Sequence, residues 1–239
     1  MKKLTSKNLD PKILASDFDG TLYIDGDISS KDLRAIKDFQ DLGHIFGIVT
    51  GRAYLSLKPL IKERLRPDFI IANNGAHVLV REDGILRQLA IKVIDPKKLG
   101  SFVDYYKDTY DIVVFTDKQR KLDNLDELFY EEGVLALAIY GPSELGDSFK
   151  KDFSFHRSKG VVDIVRKDIN KQTGIGLIKD YYKYDGEVIA IGDDYNDIEF
   201  LKETSNSYTL DYVDNKEVLK VVRQSVESVG QLIDKLIKS

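Results

Sequence analysis

Two carboxylates separated by one residue occur early in the sequence, in Asp17-Phe18-Asp19-Gly20-Thr21. In an extended segment, residues i and i+2 point to the same side, so Asp17 and Asp19 are expected to face one small volume. Two carboxylates that close repel each other unless a cation neutralises them, and Mg²⁺ prefers such oxygen ligands. The alternative is an ordinary turn, because Asp-Gly is a common turn dipeptide.

A second acidic cluster lies near the other end of the chain, in Gly192-Asp193-Asp194-Tyr195-Asn196-Asp197. By itself it is also typical of a helix N-terminus, where acidic side chains offset the helix dipole. Both clusters follow a short apolar run, however, and a shared cation explains two acidic clusters at the ends of two parallel strands better than two unrelated turns do. The sequence therefore predicts a Mg²⁺ site.

Two further segments offer groups that bind anions. Thr50-Gly51-Arg52 supplies a hydroxyl and backbone N–H groups at the predicted start of a helix, which suits an anion, although Thr50 also fits an ordinary N-cap. Lys171 precedes a helical pattern and by itself is typical of a solvated surface lysine. It becomes a candidate only because a site that holds several carboxylates and a phosphate needs a fixed positive charge.

Four short apolar runs must position these groups, at residues 12–16, 45–49, 68–72 and 188–192. Continuous apolar runs of this length are typical of strands covered on both faces, as in a parallel sheet. Helical patterns lie between them, so we expect an α/β fold with a doubly wound, mainly parallel sheet. In such sheets ligands bind beyond the carboxyl ends of the strands, where Asp17, Thr50 and Asp193 are placed.

The middle of the chain has a different pattern. A hairpin signal surrounds Glu82-Asp83-Gly84, a helix is predicted to begin at Asp95-Pro96, and strands are predicted at 112–115 and 134–140 with a helix between them at 122–130. We therefore expect a smaller inserted α/β domain at residues 83–157, and a core formed by residues 1–82 and 158–239.

Composition excludes several classes of protein. The 239 residues are 42% hydrophobic and 32% charged, enough for a buried core, and the net charge of −4 argues against a nucleic-acid partner. The absence of cysteine excludes disulfides, thiolate metal sites and cysteine nucleophiles. No apolar stretch approaches the ~18 residues of a membrane span, and no apolar segment follows the charged start. We expect a cytoplasmic protein with no membrane partner, as a monomer or homodimer.

In this order along the chain, the motifs resemble those of the haloacid dehalogenase superfamily of phosphohydrolases, in its Cof-type branch with a type IIB-like α/β cap. Asp17-Phe18-Asp19-Gly20-Thr21 resembles the first motif, Thr50-Gly51-Arg52 the second, and Gly192 to Asp197 the fourth. Lys171 stands where the third-motif lysine is expected, although the family commonly has glycine next and this chain has Gln172.

The resemblance implies a role for each residue. Asp17 would be the nucleophile that forms an aspartyl-phosphate, Asp19 the general acid and base, and Lys171 the cation that offsets charge on the phosphoryl group. Mg²⁺ would be the cofactor. Its ligands would come from four acidic residues, with Asp19 contributing its backbone carbonyl: Asp17, Asp19, Asp193 and Asp197. The phosphoryl group and substrate would be bound by Thr50, Gly51, Arg52, Lys171 and Asn196.

The expected function is hydrolysis of a small-molecule phosphate monoester, a class in which sugar phosphates are expected by family analogy. A phosphotransferase or mutase on the same core is the alternative, and a phospho-acceptor signalling domain is disfavoured by the inserted domain and the second acidic cluster. A catalytically silent binding protein would need a lost motif position, and none is lost. Six residues of the inserted domain are conceivable substrate contacts, although core packing or a place on the surface is favoured for each: Tyr105, Tyr106, Tyr140, Phe155, His156 and Arg157.

Overall fold

The computed structural model describes residues 11–128, 132–142 and 145–238. In chain order the strands of the described residues are β1 Ile13–Ser16, β2 Ile45–Val49, β3 Phe69–Ala72, β4 His77–Glu82, β5 Ile85–Ile91, β6 Asp111–Thr116, β7 Lys121–Leu122, β8 Val134–Tyr140, β9 Phe153–Ser158, β10 Val161–Arg166, β11 Val188–Ile191, β12 Asn206–Leu210 and β13 Gln224–Val226. The α-helices are α1 Ser30–Asp41, α2 Tyr54–Ile61, α3 Pro96–Tyr106, α4 Lys171–Tyr182, α5 Ile198–Lys202, α6 Lys216–Leu219 and α7 Val229–Lys238.

An eight-stranded sheet forms the larger of two layers, in the order β13-β12-β11-β1-β2-β3-β4-β5. The six strands from β13 to β3 are parallel, and the hairpin of β4 and β5 continues the sheet antiparallel. The four predicted apolar runs are buried strands at its centre, because helices on both faces cover their side chains. The expected doubly wound, mainly parallel α/β fold is confirmed.

A five-stranded antiparallel sheet forms the smaller layer, in the order β7-β6-β8-β10-β9. One of its faces packs around Phe102 of α3, in a core separate from that of the large sheet. We call the part of the chain that carries this sheet and α3 the cap. None of the described helices is long and apolar enough to cross a membrane.

Sheet membership differs from the expected boundaries at residues 83 and 157. The strand β5 belongs to the large sheet, and β10 pairs with β8 and β9 of the cap. We therefore propose a cap that runs from just after β5 to the end of β10. Alternation along a strand shows that one face is buried but does not show which sheet supplies its backbone partners.

The prediction of a helix at residues 122–130 is wrong for residues 122–128, which the structure describes. Leu122 ends the short strand β7, and only Leu125–Glu127 form a single 3-10 turn. Residues 129 and 130 lie outside the described residues. Hydrophobic spacing over so short a window also fits a strand followed by a turn.

Candidate active site

A buried lysine stands between two carboxylates at the carboxyl ends of β1 and β11. Lys171 is the first residue of α4, which begins with a capping box formed by Asn170 and Thr173. Its Nζ donates to Asp17 Oδ1 and to Asp197 Oδ1, each at 2.6 Å. Lys171 is 1% exposed and Asp197 is fully buried. The charges of the lysine and the two carboxylates are therefore compensated by one another and not by bulk water.

Burial and mutual repulsion shift the titration of this cluster. Burial, and then the neighbouring Asp197, raise the pKa of Asp17 well above its ordinary value, even though Lys171 opposes the change. The same two causes raise the pKa of Asp193 to about 6. Burial would lower the pKa of Lys171, but Asp17 and Asp197 outweigh it and hold the pKa above its ordinary value. Lys171 is therefore a permanent cation at neutral pH.

The donor set of the cluster fits a hard divalent cation. Carboxylate oxygens of Asp17, Asp193 and Asp197 lie within 4.8 Å of one another. Asp193 Oδ1 accepts a hydrogen bond from the Thr21 hydroxyl at 2.6 Å, which leaves Asp193 Oδ2 available as a metal ligand. Gly20 has a φ of +81°, and a Cβ there would lie 2.5 Å from Asp193 Oδ2. A glycine is required because the loop after β1 approaches Asp193 more closely than a side chain permits.

Asp197 differs from the other two acids because the protein already uses both of its oxygens. Oδ1 accepts from Lys171, and Oδ2 accepts from the backbone N–H groups of Asp193 and Asp194, each at 3.1 Å. These bonds fix the loop after β11 and the lysine together. Asp197 therefore suits the orienting of Lys171 and Asp193 better than direct coordination of a metal.

The turn after β2 forms a second group of polar atoms beside the acids. Thr50 is buried, and its Oγ1 accepts from the Arg52 N–H at 3.0 Å. The Arg52 guanidinium makes a two-pronged ion pair with the Asp19 carboxylate, with Nε at 2.6 Å and a terminal nitrogen at 2.5 Å. Arg52 thus holds the Asp19 side chain, which is not part of the group of three clustered acids. The Asp19 backbone carbonyl accepts no hydrogen bond from the described residues.

The cap lies over this group of residues, and a partly open cleft of about 450 Å³ is lined by residues of both. The cleft is lined by Asp17, Asp19, Thr50, Gly51, Arg52, Asp193 and Asn196, which the sequence singled out, and by the cap residues Phe115, Ala138, Tyr140, Ser158, Lys159, Val161 and Asp163. The structure thus brings every proposed site residue to one place, with Lys171 and Asp197 buried just beneath the cleft floor.

Of the six conceivable cap contacts, only Tyr140 lines the cleft. Tyr106 and Phe155 belong to the apolar core of the cap, and Tyr105 is exposed. The His156 ring bonds the Ile169 carbonyl at 2.8 Å. Arg157 stacks on the Tyr195 ring at 3.9 Å, so it joins the cap to the loop after β11.

Sequence reasoning missed Asp163, which lines the cleft, and the buried Asn74, which bonds it. Asn74 Nδ2 donates to Asp163 Oδ2 at 2.8 Å, and Asn74 Oδ1 faces Asn196 Nδ2 at 3.4 Å. Burial raises the pKa of Asp163 to about 7, against the opposing effects of Asn74 and Lys171. A signal existed for Asp163, since it is the one acidic residue among the apolar residues 161–165.

Comparison with known proteins shows which family this chain resembles in sequence and in fold. A family model described as haloacid dehalogenase-like hydrolase matches residues 14–133 and 142–223. The chain is 28% identical over 229 residues to 5-amino-6-(5-phospho-D-ribitylamino)uracil phosphatase YitU of Bacillus subtilis, covering 80% of this chain and 83% of the relative. It is 26% identical over 193 residues to a phosphoglycolate phosphatase of Sulfurisphaera tokodaii, covering 78% and 75%.

Solved structures share the fold over nearly the whole chain. The phosphatase BT1666 of Bacteroides thetaiotaomicron superposes with a TM-score of 0.79 at 22% identity, covering 95% of this chain and 94% of that one. The subclass IIB sugar phosphatase BT4131 superposes with a TM-score of 0.76 at 17% identity, covering 95% and 98%. Because the family model matches most of the chain, residues 14–133 and 142–223, the chain belongs to the haloacid dehalogenase-like hydrolase family.

Proposed function

We propose that this hydrolase is a Mg²⁺-dependent phosphatase of small phosphorylated metabolites, and that it works through an aspartyl-phosphate on Asp17. The observation that carries the proposal is the buried contact of Lys171 with Asp17 and Asp197, next to Asp193 and below a covered cleft. Relatives named as phosphatases of a ribitylamino-uracil phosphate and of phosphoglycolate support a small phosphorylated substrate.

Charge determines how the reaction can start. An anionic carboxylate approaching a phosphate dianion is repelled, so both need compensating positive charge. Lys171 supplies one fixed charge at Asp17 Oδ1. Bound Mg²⁺ would supply the rest as a Lewis acid, held by Asp17, Asp193 and the Asp19 carbonyl. The Thr50 hydroxyl, the Gly51 N–H and Asn196 would hold the phosphoryl oxygens in line with Asp17.

Proton transfer falls to Asp19. It would protonate the departing ester oxygen and then take a proton from the water that cleaves the aspartyl-phosphate, which releases inorganic phosphate and restores Asp17. Arg52 occupies both oxygens of Asp19 in this structure. The leaving group must therefore displace at least one arm of Arg52 before Asp19 can act on it.

The direct test is phosphate release from a panel of sugar phosphates and p-nitrophenyl phosphate, with MgCl₂ and with EDTA. We expect release that requires Mg²⁺ and is restored when Mg²⁺ is added back in excess of the chelator. Release of the same rate in EDTA would contradict the metal requirement. No release from any compound would favour phosphoryl transfer to another acceptor, and a search for phosphorylated Asp17 would then identify it.

Mg²⁺ should also stabilise the fold, and more strongly at high pH. Because the pKa values of Asp17 and Asp193 are raised on folding, the folded state holds more protons than the unfolded state, and the metal-free protein loses stability as pH rises from about 4 towards 6 and above. Mg²⁺ binds the ionised carboxylates and offsets that loss. At ten times its Kd, Mg²⁺ should raise Tm by about 3–6 °C.

Thermal unfolding at pH 8 and pH 5, with MgCl₂ and with EDTA, measures this effect. The increase in Tm should be clear at pH 8 and should shrink at pH 5, where protons compete with the metal. The variant Asp193→Asn should show a smaller increase at pH 8. An increase that is equal at the two pH values and is unchanged in the variant would rule out binding at this cluster.

A further inference from the structure

One acidic residue of the cap reaches the phosphoryl side of the cleft without a role in the mechanism above. Asp163 lies on β10, where it is directly opposite Ala138 of β8 and His156 of β9. Alternation along the strand separates it from Val162 and Ile164, which point into the cap core. Asp163 therefore stands on the face of the cap sheet that covers the site, and the small Ala138 beside it leaves room in the cleft.

The Asp163 carboxylate lies against the turn proposed to hold the phosphoryl group. A Cβ added at Gly51 would lie 2.8 Å from Asp163 Oδ2 and 3.1 Å from Asn74 Nδ2. The absence of a side chain at Gly51 is what allows the cap carboxylate to come so close. Because the Gly51 N–H is proposed to bind a phosphoryl oxygen, Asp163 lies close to the proposed phosphoryl site.

One oxygen of this carboxylate is held and the other is available. Oδ2 accepts from Asn74, which is fully buried and so fixes the direction of the carboxylate. Among the described residues, no donor bonds Oδ1, and Asp163 lines the cleft. At pH 8, above the pKa of about 7 to which burial raises it, Asp163 is mainly ionised, and an ionised carboxylate is an acceptor only, so a ligand that satisfies Oδ1 must then bring a hydrogen-bond donor.

We propose that Asp163 is a specificity residue that accepts a hydrogen bond from a hydroxyl of the leaving group, on a carbon near the phosphate ester. This deepens the proposed function, on which it rests, and commits the site to polyhydroxylated phosphate esters. The same carboxylate disfavours esters without a donor, because they would leave a desolvated anion beside the phosphate dianion. Val161 and Tyr140 on the same face can meet the C–H groups of such a chain.

The test compares two esters of equal carbon number, sorbitol 6-phosphate and n-hexyl phosphate, at saturating Mg²⁺ and pH 8. The wild-type protein should prefer the sorbitol ester. Asp163→Ala should lower the ratio of the two kcat/KM values by about 10- to 100-fold, the range for one hydrogen bond to a charged group. In Asp163→Asn the single amide oxygen keeps the bond from Asn74 and the NH2 group faces the ligand, where a hydroxyl can still accept, so its ratio should fall less than that of Asp163→Ala.

A matched control removes an acidic side chain of the cap that is outside the cleft. Asp147 is highly exposed in the turn before β9, and Asp147→Asn should leave the ratio unchanged. Equal losses on both esters in Asp163→Ala would overturn the inference, because a structural role does not distinguish them. So would a wild-type protein that hydrolyses both esters equally well with Mg²⁺. Absence of Mg²⁺-dependent release from either ester would instead contradict the proposed function itself.

Discussion

Asp17→Asn is expected to abolish phosphate release, with a loss of at least about 10⁴-fold in kcat, because an amide oxygen does not form the phosphoryl-enzyme. The fold should persist. The substitution keeps the shape of the side chain and an acceptor for Lys171, and it removes one of three clustered carboxylates. Since repulsion from Asp197 contributes to the raised pKa of Asp17, the metal-free variant should unfold at the same temperature as the wild-type protein or higher at pH 8.

The measurement pairs steady-state phosphate release with thermal unfolding of the same samples. Asp234→Asn is the matched control, since Asp234 is an exposed carboxylate of α7 and does not line the cleft. Its kcat should remain within about tenfold of the wild-type value. A rate near wild type for Asp17→Asn would show that Asp17 is not the nucleophile.

Lys171→Met is expected to lower kcat/KM by at least about 10³-fold, comparable to the loss of one preorganised charge-stabilising group. It should also destabilise the protein, unlike Asp17→Asn. Met keeps the length of the side chain but leaves Asp17 and Asp197 buried side by side without a cation. Breaking a buried ion pair from one side costs about 3–5 kcal/mol, part of which proton uptake by the carboxyl groups recovers.

The pH dependence of this destabilisation identifies its cause. Lys171 opposes the rise in the pKa of Asp17, so its removal raises that pKa further. The difference in Tm between wild type and variant should therefore grow from pH 5 to pH 8, as the two carboxyl groups are forced to ionise without a partner. Lys202→Met, at an exposed lysine of α5, controls for the loss of a charge. A harmless Lys171→Met would mean that another cation serves the site.

Local sequence patterns predicted much of the arrangement of the candidate site. The apolar runs ending at Asp17, Thr50 and Asp193 predicted parallel strands, and parallel strands bring their carboxyl ends to one edge of a sheet. That single rule places residues more than 170 positions apart in one cleft, as the bond from Thr21 to Asp193 shows. Lys171 looked like a surface residue by itself, and only its place in the motif order made it a candidate.

Long-range packing determined the rest. Which sheet receives β5 and β10 depends on backbone pairing with strands distant in sequence, so the cap boundaries did not follow from alternation. The same holds for single side chains. The residues around Asp19 in the sequence do not predict its ion pair with Arg52, and those around Asp163 do not predict its hydrogen bond from Asn74. Each of these contacts joins segments that are distant in the sequence.

The sequence by itself determined which groups the candidate site contains: paired carboxylates, the turn at Thr50-Gly51-Arg52 and a lysine, each at the end of an element whose pattern is local. The tertiary structure alone decided which oxygens remain available, because that depends on which partners packing brings within hydrogen-bond distance. Asp197 is fully bonded by the protein, whereas Asp193 Oδ2 and Asp163 Oδ1 are left for ligands. Residue types define what a site can do, and packing defines which of those groups face the cleft.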